Sequence, residues 1–117
     1  MNYMLLIYGD ESRAPKSQAE AAPVIAAYMA YTEALRKAGV LVHSARLQPV
    51  ATATTVRMAG DKSEVLNGPY AETREQLGGY YMIDVADLDA ALAWAARCPA
   101  ARHGTVEVRP IWPTRGA

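Results

Sequence analysis

Glu72, Arg74 and Glu75 crowd into one short stretch between Asn67-Gly68-Pro69-Tyr70 and Gly78-Gly79. A carboxylate close to a guanidinium is a usable pair. Glu72 can take a proton as a general base, and Arg74 can hold an anionic substrate group through two parallel N–H donors. Tyr70, at the edge of the same stretch, is a candidate substrate contact. The competing reading is a solvated charged turn, or an internal ion pair that positions the loop. Loops carry function disproportionately, which keeps these residues in view.

His43 is the next candidate, because an imidazole shuttles protons near neutral pH. Ser44 beside it is not its nucleophile: in a strand, neighbouring side chains point to opposite faces. An isolated surface histidine is the plainer alternative. His103, between Cys98 and Gly104, reads as incidental. The aromatic set is seven tyrosines and two tryptophans, with no phenylalanine. Buried tyrosines need partners for their hydroxyls. Several, Tyr28 among them, could line a cavity between the first helix and a sheet, suited to a small, flat ligand, or fill a core and a dimer interface. The candidates rank Glu72, Arg74, Tyr28, His43.

His43, Cys98 and His103 have no metal-ligand spacing, and zinc needs three or four converging ligands. No metal and no cofactor is expected. The scattered glycines Gly60, Gly68, Gly78 and Gly79 make no phosphate cradle.

The elements that must position these residues can be read along the chain. Tyr3 to Tyr8 is apolar on both alternating faces and ends at Gly9-Asp10, the pattern of a buried central strand. Ser17-Gln18-Ala19-Glu20 matches a capping box. Val24, Tyr28, Tyr31 and Leu35 then recur at helical spacing, with Ile25 and Met29 widening the stripe. Arg36, Lys37 and Gly39 close that helix. Pro23 conflicts with it: the helix is either kinked near Ala19 or begins at Ala22-Pro23.

Val40 to Arg46 suits a short strand. Ala51 to Met58 alternates and is β-branched, with Ser63 to Leu66 as its hairpin partner. Asn67 to Tyr70 is a tight turn, Ala71 to Leu77 suits one helical turn, and Gly78-Gly79 releases the chain into a strand over Tyr80 to Val85. Asp87 caps a helix whose face is Leu88, Ala91, Leu92 and Ala95, stopping before Pro99. Thr105 to Ile111 is the last strand, Val106 and Val108 inward, Glu107 and Arg109 outward. The order is a split βαβ arrangement. It predicts an α+β, ferredoxin-like sandwich with helices on one face of an antiparallel sheet.

Two helices cover only one face of such a sheet. Met4, Leu6 and Tyr8 would then form an exposed patch of several hundred square ångströms, more than a monomer usually tolerates. A two-fold partner stacking sheet on sheet removes it; a long loop folding over is the alternative. A homodimer is therefore expected.

The bulk numbers limit the rest. The 117 residues suit one domain over 1–117, and 51% hydrophobic with 21% charged is an ordinary globular balance. Twelve basic and twelve acidic residues cancel, so no field gathers nucleic acid or anionic lipid. One cysteine allows no internal disulfide, and no stretch approaches a membrane span. The first ten residues lack a basic leader. These features make a cytoplasmic location the expectation, with no membrane and no direct nucleic-acid partner.

From Asn67-Gly68-Pro69-Tyr70 through Gly78-Gly79-Tyr80-Tyr81 the sequence resembles the YCII-related superfamily, in particular its DGPF-domain branch. Tyr3 to Asp10, Leu47-Gln48-Pro49 through Val56, Asp87 to Pro99 and Val106 to Pro110 extend the resemblance over nearly the whole chain. It implies a dimeric ferredoxin-like α+β barrel and little about activity. Genes of this branch often neighbour those of alternative sigma factors. Two departures stand out. The signature aspartate is Asn67 here, which can still close an Asx-type turn but is no general base, and the signature phenylalanine is Tyr70. A histidine on the first helix, paired with an aspartate, has been proposed as catalytic in the wider superfamily. Tyr28 stands at about that place here, so that dyad does not carry over.

Two functions from different classes follow. One is a dimer that binds a small molecule in a cleft between the first helix and the sheet, with weak acid–base chemistry. The other is a non-catalytic accessory protein of a regulatory, sigma-factor-linked system.

Overall fold

The computed structural model describes residues 1–114 of the 117. Strands β1 (Asn2–Gly9), β2 (Leu41–Arg46), β5 (Gln76–Asp84) and β6 (Thr105–Pro110) form an antiparallel sheet in the order β2-β5-β1-β6. The helices are α1 (Gln18–Lys37), α2 (Leu88–Arg97) and the single turn α3 (Ala100–His103). This is the expected α+β plan, consistent with a ferredoxin-like fold. Strands β3 (Thr54–Ala59) and β4 (Lys62–Asn67) form a hairpin apart from that sheet.

Local chemistry accounts for the ends of α1. The Ser17 hydroxyl oxygen accepts the Glu20 N–H at 3.1 Å, while the Glu20 carboxylate accepts the N–H of Lys16 at 2.8 Å instead of returning to the cap residue. The cap fixes the start at Gln18, so the alternative start at Ala22-Pro23 is overturned. Pro23 lies inside the helix, which runs on to Lys37. At the other end Gly39 takes a φ of 73°. The Gly39 N–H reaches the Arg36 carbonyl and the Val40 N–H the Leu35 carbonyl, the two bonds of a Schellman ending.

The core lies between helices and sheet. Leu5, Ile83 and Leu35 have no exposed surface, and Tyr3, Tyr31, Tyr81, Ala91, Ala95 and Cys98 pack around them. The helical stripes are narrower than expected. Tyr31 and Leu35 are buried and Tyr28 partly so, but Met29 is 68% exposed and Val24 and Ile25 also face outward. On α2 the buried residues are Ala91 and Ala95, whereas Leu88 and Leu92 are each 47% exposed. A helix buries only the part of its stripe that overlaps the sheet.

Four further boundaries differ from expectation. Val50–Thr52 is a 3-10 turn, and the strand after it begins at Thr54. Ala71 to Leu77 forms no helical turn; β5 starts at Gln76, so Gly78 and Gly79 lie within a strand. Ile7 pairs with Gly79 and Tyr8 with Leu77, which makes Gly78 the extra residue of a bulge. A Cβ on Gly79 would lie 2.6 Å from the Ala45 carbonyl oxygen, so the backbones of β2 and β5 approach this closely only because the residue is glycine. Beyond Pro99, α3 occupies what reads as loop, and β6 ends at Pro110 rather than Ile111.

The outline is open. The radius of gyration is 16.3 Å, against about 13 Å for a compact chain of this length. The β3–β4 hairpin is exposed along its length except at Thr55. No helix among the described residues is long and apolar enough to cross a membrane.

Candidate functional site

The sheet divides the candidate residues. Tyr28 sits on its helix side, half-buried, and burial, reinforced by Cys98 and Tyr81, pushes its phenol up to about 12. Its carbonyl accepts the Thr32 hydroxyl at 2.8 Å, and Thr32 Oγ1 lies 2.8 Å from the Tyr81 hydroxyl. Tyr31 meets Tyr81 edge-on at 5.2 Å and donates its hydroxyl to the Trp94 carbonyl at 2.7 Å. Tyr31 and Tyr81 pack in the core between α1 and the sheet, their hydroxyls engaged by the Trp94 carbonyl and by Thr32, and Tyr28 packs against that core.

His43 lies on the opposite, uncovered side. It pairs with Met82 across β2 and β5, while Ser44 pairs with the inward Tyr81, so the two neighbours point apart as strand geometry requires. His43 Nδ1 lies 2.7 Å from the Tyr80 hydroxyl, and the two rings stack at 5.7 Å with an interplanar angle of 27°. With Nδ1 unprotonated the phenol donates to it; such a pair can relay a proton to a third group at Nε2. Met4, Leu6 and Met82 share this face and are only partly buried. Sequence reasoning did not single out Tyr80 as a site residue. Its partnership with His43 depends on the irregular register between Leu41 and His43, which has no local signal.

Tyr70, Glu72 and Arg74 lie in the loop from β4 to β5 and are all exposed. The Arg57 guanidinium sits 5.9 Å from the centre of the Tyr70 ring. Glu72 and Arg74 make no ion pair with each other; the ion pairs among the described residues are Met1–Asp84, Arg13–Asp10 and Arg36–Glu33. Glu75 has a fixed partner instead, accepting the Thr105 hydroxyl at 2.7 Å. Gln76 completes the anchor. Its amide nitrogen donates to the Thr73 carbonyl at 2.7 Å and its oxygen accepts the Glu11 N–H at 2.9 Å. Near this anchor, hydrogen bonds from the Ser12 hydroxyl and N–H hold the Asp10 carboxyl below its usual range.

Among the described residues, a concavity of about 380 Å³ lies between α1 and the α2–α3 turn, and another, of about 200 Å³, is lined by Arg46, Leu47, Gln48 and Pro49. None of Tyr28, His43, Tyr70, Glu72 or Arg74 lines either. Among the described residues no three His, Cys, Asp or Glu side chains converge as metal ligands.

The split sheet with a protruding hairpin can be compared with known proteins. The family model of the YCII-related domain matches residues 1–115. The chain belongs to the YCII-related family. An uncharacterized protein of Rhizobium meliloti (strain 1021) is 40% identical over 114 residues, covering 95% of this chain and 92% of that protein. The family match spans all but the last two residues of the chain.

Proposed function

We propose that this YCII-related domain, which we assign to the DGPF branch on Asn67-Gly68-Pro69-Tyr70, works as a homodimer that binds a small molecule at the outer face of its sheet. Acid–base chemistry there is supplied by His43 and Tyr80. The observation that carries the reading is their 2.7 Å contact on the sheet face that no helix of the described residues covers. Met4, Leu6 and Met82 around it favour a second copy stacking sheet on sheet, because a closed two-fold pair buries the same patch on both chains. Stacking would also exclude water from the His43–Tyr80 pair, which strengthens its electrostatics. The exposed loop carrying Tyr70, Glu72 and Arg74 is then a source of substrate contacts, with Arg74 in no ion pair among the described residues.

Sedimentation equilibrium and a thermal-shift screen against a metabolite panel test this together. The expected result is a dimer and a stabilising ligand. At about a hundred times its Kd such a ligand adds roughly 2.7 kcal/mol, on the order of 10 °C for a domain of this size. The shift should vanish in His43→Ala and shrink in Glu72→Ala. A monomer at all concentrations with a flat panel overturns the reading and favours the accessory protein, for which the outward Val24, Ile25 and Met29 of α1 offer a protein-binding strip.

A further inference from the structure

We propose a second ligand site, distinct from the sheet face: the groove between α1 and the α2–α3 turn takes a small organic anion with an apolar body. The α1 wall is Ala27, Ala30 and Ala34, whose small side chains leave about 380 Å³ open against Tyr31. That volume is within the range of small-molecule sites, roughly 300–1,000 Å³. Tyr31 is buried and its hydroxyl is engaged by the Trp94 carbonyl at 2.7 Å, so it backs the groove and the alanine side chains carry the apolar contact.

The opposite wall is cationic. Arg97, Arg102 and His103 line it together with Pro99, and no carboxylate of the described residues lines the groove. Neither arginine belongs to an ion pair among the described residues. The nearest acid on α1 by sequence, Glu33, is held by Arg36 at 2.8 Å. The chain as a whole has net charge zero, so the concentration of positive charge here is local. The Arg97 guanidinium lies 4.3 Å from the centre of the Trp94 ring, a cation–π contact that pre-orders it and leaves its outer N–H groups available. Guanidinium groups suit carboxylate and phosphate oxygens, and the alanine wall suits an aliphatic or aromatic body.

Trp94 provides the readout. In a Trp112→Phe background, the indole fluorescence of the full chain is titrated with phenyl phosphate, phenylacetate and benzyl alcohol. The expected result is a saturable change with at least one of the two anions and none with the neutral alcohol. Arg102→Gln, which does not touch Trp94, should weaken binding about tenfold, the effect of losing one charge-assisted hydrogen bond. Ala30→Met should abolish it by filling the groove without removing a charge. Amide shifts on binding should map to α1, α2 and α3. A linear response to all three compounds overturns the proposal, as does unchanged affinity in Arg102→Gln; the basic residues then serve only the C-terminal ends of α2 and α3. Amide shifts that map to His43 and Tyr80 overturn it too, while leaving the sheet-face reading intact.

Discussion

The His43 imidazole and the Tyr80 hydroxyl, 37 positions apart in the chain, meet at 2.7 Å on the uncovered face of the sheet. Two strands bring them together, and each side chain is anchored on a backbone held by a ladder. Because the pair is solvent-facing in a single chain, its hydrogen bond contributes at most about 1 kcal/mol to folding. Tyr80→Phe is therefore expected to leave the melting temperature within a few degrees of the parent while removing most of the ligand-induced shift. A large loss of stability instead would make the pair structural. Imidazole nitrogen shifts by NMR, with and without the substitution, report whether Nδ1 is the acceptor.

Alkaline pH should unfold this protein through its core phenols. Burial pushes Tyr28 up to about 12, and Tyr31 and Tyr81 are raised by the same cause. The thiol of Cys98 is also raised by burial from its ordinary 9.0. In each case the folded state resists losing the proton. The stability these neutral groups provide is complete below their unfolded values, near 9.0 for the thiol and 10.0 for the phenols, and falls as pH rises towards the folded values. Denaturant melts between pH 8 and about 12 should show stability flat at first and then declining. Tyr28→Phe should make the decline shallower. A profile unchanged up to pH 12 would contradict the burial of these rings.

Leu35 and Met29 lie on the same helix in opposite environments, at 0% and 68% exposure. Leu35→Ala is expected to cost about 3 kcal/mol or more, the transfer and cavity terms together. Met29→Ala should change the stability of an isolated chain by less than about 0.5 kcal/mol. Urea melts at two protein concentrations separate the remaining possibility. A cost for Met29→Ala that appears only at high concentration means a partner covers that strip.

Gly79→Ala tests the close passage of β5 and β2. The added methyl meets the Ala45 carbonyl oxygen at 2.6 Å, with the Arg46 Cα behind it at 3.3 Å. Backbone cannot yield as a flexible side chain does, so β2 must move. Hydrogen exchange should show loss of protection along β2, while the β1–β6 ladder stays protected. Since β2 carries His43, ligand response should fall with it. Retained protection in β2 would show that the sheet absorbs the methyl elsewhere.

What the sequence by itself determined is what local chemistry encodes. The Ser17 and Asp87 caps and the Gly39 ending set helix limits, because each satisfies backbone groups within a few residues. The alternation of side-chain direction divided Tyr3 to Tyr8 into two faces, Tyr3, Leu5 and Ile7 against Met4, Leu6 and Tyr8, since side-chain direction in a strand has a period of two. The order of elements, with this alternation, was enough for the ferredoxin-like plan. Tertiary structure decided the rest. Gly78-Gly79 looks like a turn until pairing with β1 makes Gly78 a bulge. Val24, Ile25, Leu88 and Leu92 are helical apolar residues left outside, because burial depends on where a helix overlaps the sheet. His43 and Tyr80 become a pair, and Tyr28 and His43 are parted, only through the register of β2 against β5. Such relations arise from backbone pairing between distant segments, and no local run of residues encodes that pairing.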